Sequence, residues 1–258
     1  MKKIATSILI SLCVFVFALE PSGRALELFE AGKYISDNND TLLYRLLSPA
    51  DLGKDEEYPL VLFLHGAGER GNDNQRQLIW GADHFITEKH LQKYPCYVLA
   101  PQCPRNERWV EVNWDLPYHD MPETPSLPLQ LTIELLSEIT RELPVDEERI
   151  YVTGLSMGAY GTWDIIARMP EYFAAAAPVC GGGDARQAEK ITGMPVWVFH
   201  SVDDAAVPVE RSRKMVIAVR EAGGKKVRYT EYLDAGHGSW KRAYKDPEFF
   251  EWFFAQEK

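Results

Sequence analysis

Cysteine is scarce in this chain, four in 258 residues, and no two of the four are spaced as C-x-x-C. An H-E-x-x-H helix and a carboxylate loop with metal spacing are also missing, so neither a metal nor a cofactor is expected. Basic residues are outnumbered, 28 Lys and Arg against 38 Asp and Glu, for a formal charge of −10. Nucleic acid and anionic membrane surfaces require basic patches, which makes both poor partners. Repeats and low-complexity tracts are absent, which excludes solenoids and long disordered segments. No apolar run reaches the ~18 residues that argue for a membrane span. What is present is 46% hydrophobic and 26% charged residues, enough for a sizeable interior in one domain over residues 19–258.

The first eighteen residues read differently. Lys2-Lys3 followed by the apolar run from Ile4 to Leu19 has the form of a signal peptide, with a small-residue cleavage site at Val16-Phe17-Ala18. Export to the periplasm or beyond the cell is the expectation, with no membrane attachment after cleavage. Loss of Lys2 and Lys3 leaves 26 basic against 38 acidic residues, or −12. Three cysteines then remain, Cys96, Cys103 and Cys180. Cys96 and Cys103 bracket a strand of seven extended residues and stand about 20 Å apart, too far to pair. Cys103 and Cys180 each follow a strand, and both a bridge between their loops and a pair of inert thiols are open.

The most informative stretch is Arg149 to Gly161, where a β-branched run breaks into Gly154-Leu155-Ser156-Met157-Gly158 and opens an apolar helix. A serine on so tight a strand-to-helix turn has its hydroxyl pushed above the sheet edge, with helix N–H groups aimed at the same spot. A nucleophilic serine needs a base, and the base needs a carboxylate. Only two histidines follow it, and His200 precedes any carboxylate that could follow its own strand, which leaves His237 as the base. Asp203 and Asp204 compete for the acid; the spacing D-x-x-V-P, ending at Val207-Pro208, selects Asp204 and leaves Asp203 a turn residue. An oxyanion also needs backbone donors fixed beforehand. Met157 N–H is one; Ala67, with Gly68 as the alternative, is the other, in the His65-Gly66-Ala67-Gly68 loop after an apolar strand. His65 precedes the serine and reads as a structural loop histidine.

Strands ending at Leu64, Ala100, Thr153, Val179, Phe199 and Leu233, with edge strands over 27–36 and 42–48, alternate with helical segments. These include 129–143, after Ser126 and Pro128, and 209–222, stopped by Gly223-Gly224. That alternation predicts an α/β fold with a doubly wound, mostly parallel sheet. Residues 105–125 interrupt it as an irregular excursion carrying Trp109, Trp114 and Tyr118. It reads either as a substrate-facing flap or as a packing loop. Trp114, Tyr118 and Trp240 are the expected substrate-binding residues.

On the strings His65 to Gly71, Ala100-Pro101-Gln102-Cys103-Pro104, Gly154 to Gly158, His200 to Pro208 and Ala235-Gly236-His237, the chain resembles secreted α/β-hydrolases. The group is that of the phospholipase/carboxylesterase and polyhydroxybutyrate-depolymerase-like enzymes, also described as prolyl-oligopeptidase-type or predicted peptidase hydrolases. The resemblance runs from about Tyr44 to Phe253 and departs at Ser201, where a glycine is common. It implies a Ser-His-Asp carboxylesterase acting on small acyl or aryl esters, or on carbohydrate-linked feruloyl or acetyl groups. A peptidase of prolyl-oligopeptidase type and a non-catalytic binding protein on the same fold are the alternatives. Dienelactone hydrolases share the fold with a cysteine at the elbow, and Ser156 sets this chain apart from that branch.

Overall fold

The computed structural model describes residues 20–258 apart from Asp51, Asp55 and Asp115. The expected leader over 1–18, with Cys13, lies outside the described residues. Strands β1 (Phe29–Ile35), β2 (Thr41–Leu47), β3 (Tyr58–Leu64), β4 (Tyr97–Gln102), β5 (Val145–Leu155), β6 (Ala175–Val179), β7 (Val196–Ser201) and β8 (Val227–Tyr232) form one sheet. The helices are α1 (Gly23–Leu28), α2 (Glu88–Lys93), α3 (Leu127–Glu142), α4 (Met157–Arg168), α5 (Glu210–Glu221), α6 (Trp240–Ala243) and α7 (Phe249–Phe254). Strand order is β1-β2-β4-β3-β5-β6-β7-β8. Only the pairs β1–β2 and β2–β4 are antiparallel; β4, β3, β5, β6, β7 and β8 run parallel. The expected doubly wound, mostly parallel sheet is therefore present.

Helices cover both faces, which is why the central strands are apolar throughout instead of alternating. Leu60, Leu62 and Leu64 of β3 face a cluster containing Leu135, Tyr160, Ile166 and Val216 from α3, α4 and α5. Val61 and Phe63 face the other way, towards Ala25 of α1 and Phe249, Phe250 and Phe253 of α7. Each such Leu or Phe, removed wholly from water, contributes on the order of 2 kcal/mol. Helix α3 starts where its sequence says it should: the Ser126 hydroxyl accepts the Leu129 N–H at 3.4 Å, and Pro128 lies in the first turn.

One strand boundary is corrected and one open alternative is decided. The first edge strand begins at Phe29, not at 27, because Ser22 caps the short helix α1 through the Ala25 N–H at 3.1 Å. A Cys103–Cys180 bridge does not form: both thiols are free. Cys103 belongs to the cluster on one face of the sheet and Cys180 to the cluster on the other, so the sheet stands between them.

Candidate active site

Three strand ends build the site. Between β5 and α4, Ser156 holds φ 52° and ψ −117°, a backbone region that L-residues avoid and that is stored only where the surroundings enforce it. The enforcement is steric. A Cβ added at Gly158 would stand 1.9 Å from the Leu64 carbonyl oxygen, so α4 lies directly against the end of β3. From the loop after β8, His237 Nε2 lies 2.9 Å from Ser156 Oγ. From the loop after β7, Asp204 Oδ2 accepts from His237 Nδ1 at 2.8 Å, with Oδ1 at 3.0 Å. The three side chains selected in the sequence thus form one continuous hydrogen-bonded chain.

Asp204 is held on every side. Its Oδ1 accepts the Ala206 and Val207 N–H groups, both at 2.9 Å, and His200 Nε2 stands 3.2 Å from Oδ2. Burial alone would raise its pKa, but hydrogen bonds from His200, His237 and the Val207 N–H outweigh that and hold it well below the usual carboxylate range. His200, set aside in the sequence as a base, is wholly buried and braces the acid instead, with Nδ1 2.7 Å from Ser212 Oγ. Asp203 is the turn residue expected: its Oδ1 accepts from Ser201 Oγ at 2.6 Å and from the Gly236 N–H at 2.8 Å, tying the loop of the acid to that of the base.

Ala67 and Met157 each open a helical segment, Ala67 a 3₁₀ turn after Gly66 and Met157 helix α4. First-turn N–H groups have no partner within their own helix, so both are available. The loop that carries Ala67 is tightly braced. Trp109 Nε1 donates to the His65 carbonyl at 3.0 Å, and Arg70 Nε donates to the Ala67 carbonyl at 2.9 Å. His65 is structural, as its place ahead of the serine implies. Its Nε2 accepts the Cys103 N–H at 2.9 Å while Nδ1 donates to the Gly66 carbonyl at 2.6 Å, and burial pushes its pKa down to about 4.

The excursion over 105–125 is strapped across the start of α4. Trp114 packs 6.4 Å from the Tyr160 ring, one turn after the serine, under Arg108 at 4.5 Å. Trp240 sets its ring edge-on to the His237 imidazole at 5.3 Å. Tyr118 is not brought to the serine; it is 64% exposed and lines a separate 240 Å³ cavity with Arg186 and Lys214. The residues that hold the excursion were not singled out in the sequence. Asp184 Oδ2 accepts the Met121 N–H at 2.9 Å, Arg168 Nη2 donates to the Pro122 carbonyl at 2.7 Å, and Arg211 Nη1 pairs with His119 Nδ1 at 2.7 Å.

Burial, and after it the Arg211 guanidinium, push the His119 pKa down to about 4, and burial likewise lowers His84 and His90. A histidine whose folded value lies below its unfolded value of 6.5 binds its proton more readily in the unfolded chain. Stability is therefore complete above pH ~6.5 and declines as the pH falls towards ~4. Thermal unfolding should show Tm decreasing across that window, with a shallower decrease for His119→Asn.

Cys180 Sγ lies with the ligand atoms of Asp204 and His237 inside a 4.8 Å group, the grouping among the described residues that could chelate a metal. The donors fit one poorly. An ion there would have to break the His237–Asp204 hydrogen bond and ionise a thiol that burial pushes up to about 12.

Comparison with known proteins bears on the fold. A crystal structure described as a thermostable esterase superposes with a TM-score of 0.84 at 44% identity, covering 91% of this chain and 64% of that one. The chain has the α/β-hydrolase fold. The model of the dienelactone hydrolase family matches residues 129–248 of this chain. That match includes the elbow with its serine, so Ser156 does not set the chain apart from that family model, contrary to expectation. Poly(3-hydroxyalkanoate) depolymerase C of Paucimonas lemoignei is 30% identical over 125 residues, 48% of this chain and 28% of that protein. The acylaminoacyl peptidase of Pyrococcus horikoshii shares the fold at 17% identity and a TM-score of 0.63, over 89% of this chain and 42% of its own. The chain thus spans less than two thirds of each of these relatives. Among the described residues, no helix is long and apolar enough to cross a membrane.

Proposed function

We propose that this α/β hydrolase is an exported serine carboxylesterase, secreted or periplasmic, with residues 19–258 as its catalytic domain. The observation that carries the reading is the hydrogen-bonded chain from Ser156 Oγ through His237 to Asp204, at 2.9 and 2.8 Å. In this reading His237 Nε2 takes the hydroxyl proton as Oγ attacks the ester carbonyl, and Asp204 holds the ring and stabilises the imidazolium. The Ala67 and Met157 N–H groups receive the oxyanion. Collapse of the tetrahedral species expels the alcohol, protonated by His237, and leaves an acyl-serine. Water, deprotonated by the same imidazole, then attacks the acyl carbon and frees the acid and the serine.

The reading takes in substrates with a small acyl or aryl group, including feruloyl or acetyl groups on carbohydrate. The test is one panel of p-nitrophenyl acetate, butyrate and octanoate, methyl ferulate and a proline p-nitroanilide. Esters turned over by the wild type and not by Ser156→Ala support the reading. Turnover of the anilide alone would replace it with a peptidase, and a wild type as inert as the variant on every substrate would replace it with a binding protein.

A further inference from the structure

Arg211 is an anomaly. It is 2% exposed on α5, yet among the described residues no carboxylate lies within ion-pair distance of it. Burying a guanidinium without a counter-charge is costly unless its donors are matched one by one. The excursion over 105–125 supplies partners for both terminal nitrogens, while the buried Nε has none. Nη2 donates to the carbonyls of Asn113 at 2.9 Å and Trp114 at 3.3 Å, and Nη1 to the His119 imidazole at 2.7 Å. The guanidinium stands 5.3 Å from the Tyr160 ring centroid. Room for the stem depends on Gly182, where an added Cβ would meet Arg211 Cβ at 2.8 Å.

These contacts fix one particular wall. The excursion leaves the oxyanion loop through the Trp109–His65 and Arg70–Glu107 hydrogen bonds. It crosses Tyr160 with Trp114 and His119, whose rings lie 6.4 and 5.6 Å from it, and reaches Arg211. Tyr160 is one helical turn beyond Ser156. A planar fork can hold two carbonyls and an imidazole at once, whereas an ammonium group is a point charge on a flexible stem.

We propose that Arg211 is a positioning residue that fixes Trp114 and His119 against Tyr160, one helical turn beyond the serine, and through them sets the acyl preference of the esterase. The inference rests on the esterase reading. A substrate whose acyl group is too short to reach the wall is indifferent to it. A longer or aromatic acyl group uses it as a preformed surface, so the ordering entropy is spent before binding.

The experiment compares Arg211→Met and Arg211→Lys with wild type. Arg228→Met, which removes an arginine stacked 3.6 Å over Trp197, is the control for general loosening. For Arg211→Met, KM should rise at least 10-fold for p-nitrophenyl octanoate and methyl ferulate and less than 3-fold for the acetate, while kcat on the acetate falls less than 3-fold. Arg211→Lys should lie between it and wild type, and Arg228→Met should show no split between short and long esters. Chymotrypsin gives a readout independent of activity, because Leu116 and Tyr118 are 49% and 64% exposed yet lie inside the clasped segment. Cleavage there should be at least 10-fold faster in Arg211→Met than in wild type. Equal proportional changes on short and long esters would overturn the specificity role, and unchanged nicking would overturn the clasp. A wild type inert to all esters sinks the esterase reading and the specificity role with it; the clasp is then decided by the nicking rate alone.

Discussion

Ser156→Ala should lower kcat on p-nitrophenyl acetate by about 10⁶-fold, because removal of the nucleophile from a working triad disables the whole unit. Asp204→Asn should cost about 10⁴-fold. An amide NH₂ would face the position of the His237 Nδ1 proton, now 2.8 Å from Oδ2, and the ring would adopt the wrong tautomer. The strained turn adds a discriminating arm. With φ at 52° and ψ at −117°, Ser156 stores about 1–3 kcal/mol, which glycine does not incur. Ser156→Gly should therefore be as inactive as Ser156→Ala but unfold at a higher temperature. Equal Tm values for the two variants would mean that the turn is unstrained, and residual activity above 1% of wild type in either would move the nucleophile elsewhere.

Gly158→Ala is expected to be the most damaging single methyl that can be added here. The new Cβ would meet only backbone, Leu64 O at 1.9 Å, Leu64 C at 2.5 Å and His65 O at 2.8 Å, and backbone has no rotamer to change. Relief requires α4 to move away from β3, which loosens the packing of Tyr160 and Ile166 in the core. Overpacking of this kind costs about 3 kcal/mol or more, a fall in Tm of roughly 6–12 °C for a domain of this size. The same displacement moves the carbonyls that lead into Ala67, so kcat should fall even where the variant remains folded. Gly68→Ala is the matched control. Nothing lies within 4 Å of its new Cβ, and its Tm should stay within a degree or two of wild type.

The catalytic chain was legible because each signal in the sequence is itself a hydrogen bond or a contact in the fold. The spacing from Asp204 to Val207 is the span of a carboxylate that accepts the N–H three residues on, at 2.9 Å, and the glycines of the elbow mark where helix and strand backbones touch. The clasp was not legible. Arg211 opens α5 among Glu210, Ser212, Arg213 and Lys214, and in a linear pattern it is one more polar residue of a solvated face. Its burial comes from the excursion folding over it, a contact 92 residues away in sequence. The state of Cys103 and Cys180 was hidden for a similar reason. Both follow strands, but which side of the sheet each thiol takes depends on how β4 and β6 end, and no spacing records that.

Strand β8 has a neighbour on one side only, β7, and its residues from Val227 to Tyr232 are partly or fully exposed. The loop that follows it delivers the imidazole. Border elements of this kind open more readily than the interior of a sheet, so in the esterase reading the proton acceptor rides on a border of the sheet while the nucleophile is rooted in its centre. On warming, catalytic competence should fade before the bulk of the sheet lets go, and a thermal inactivation midpoint is then a property of that one margin and not of global unfolding.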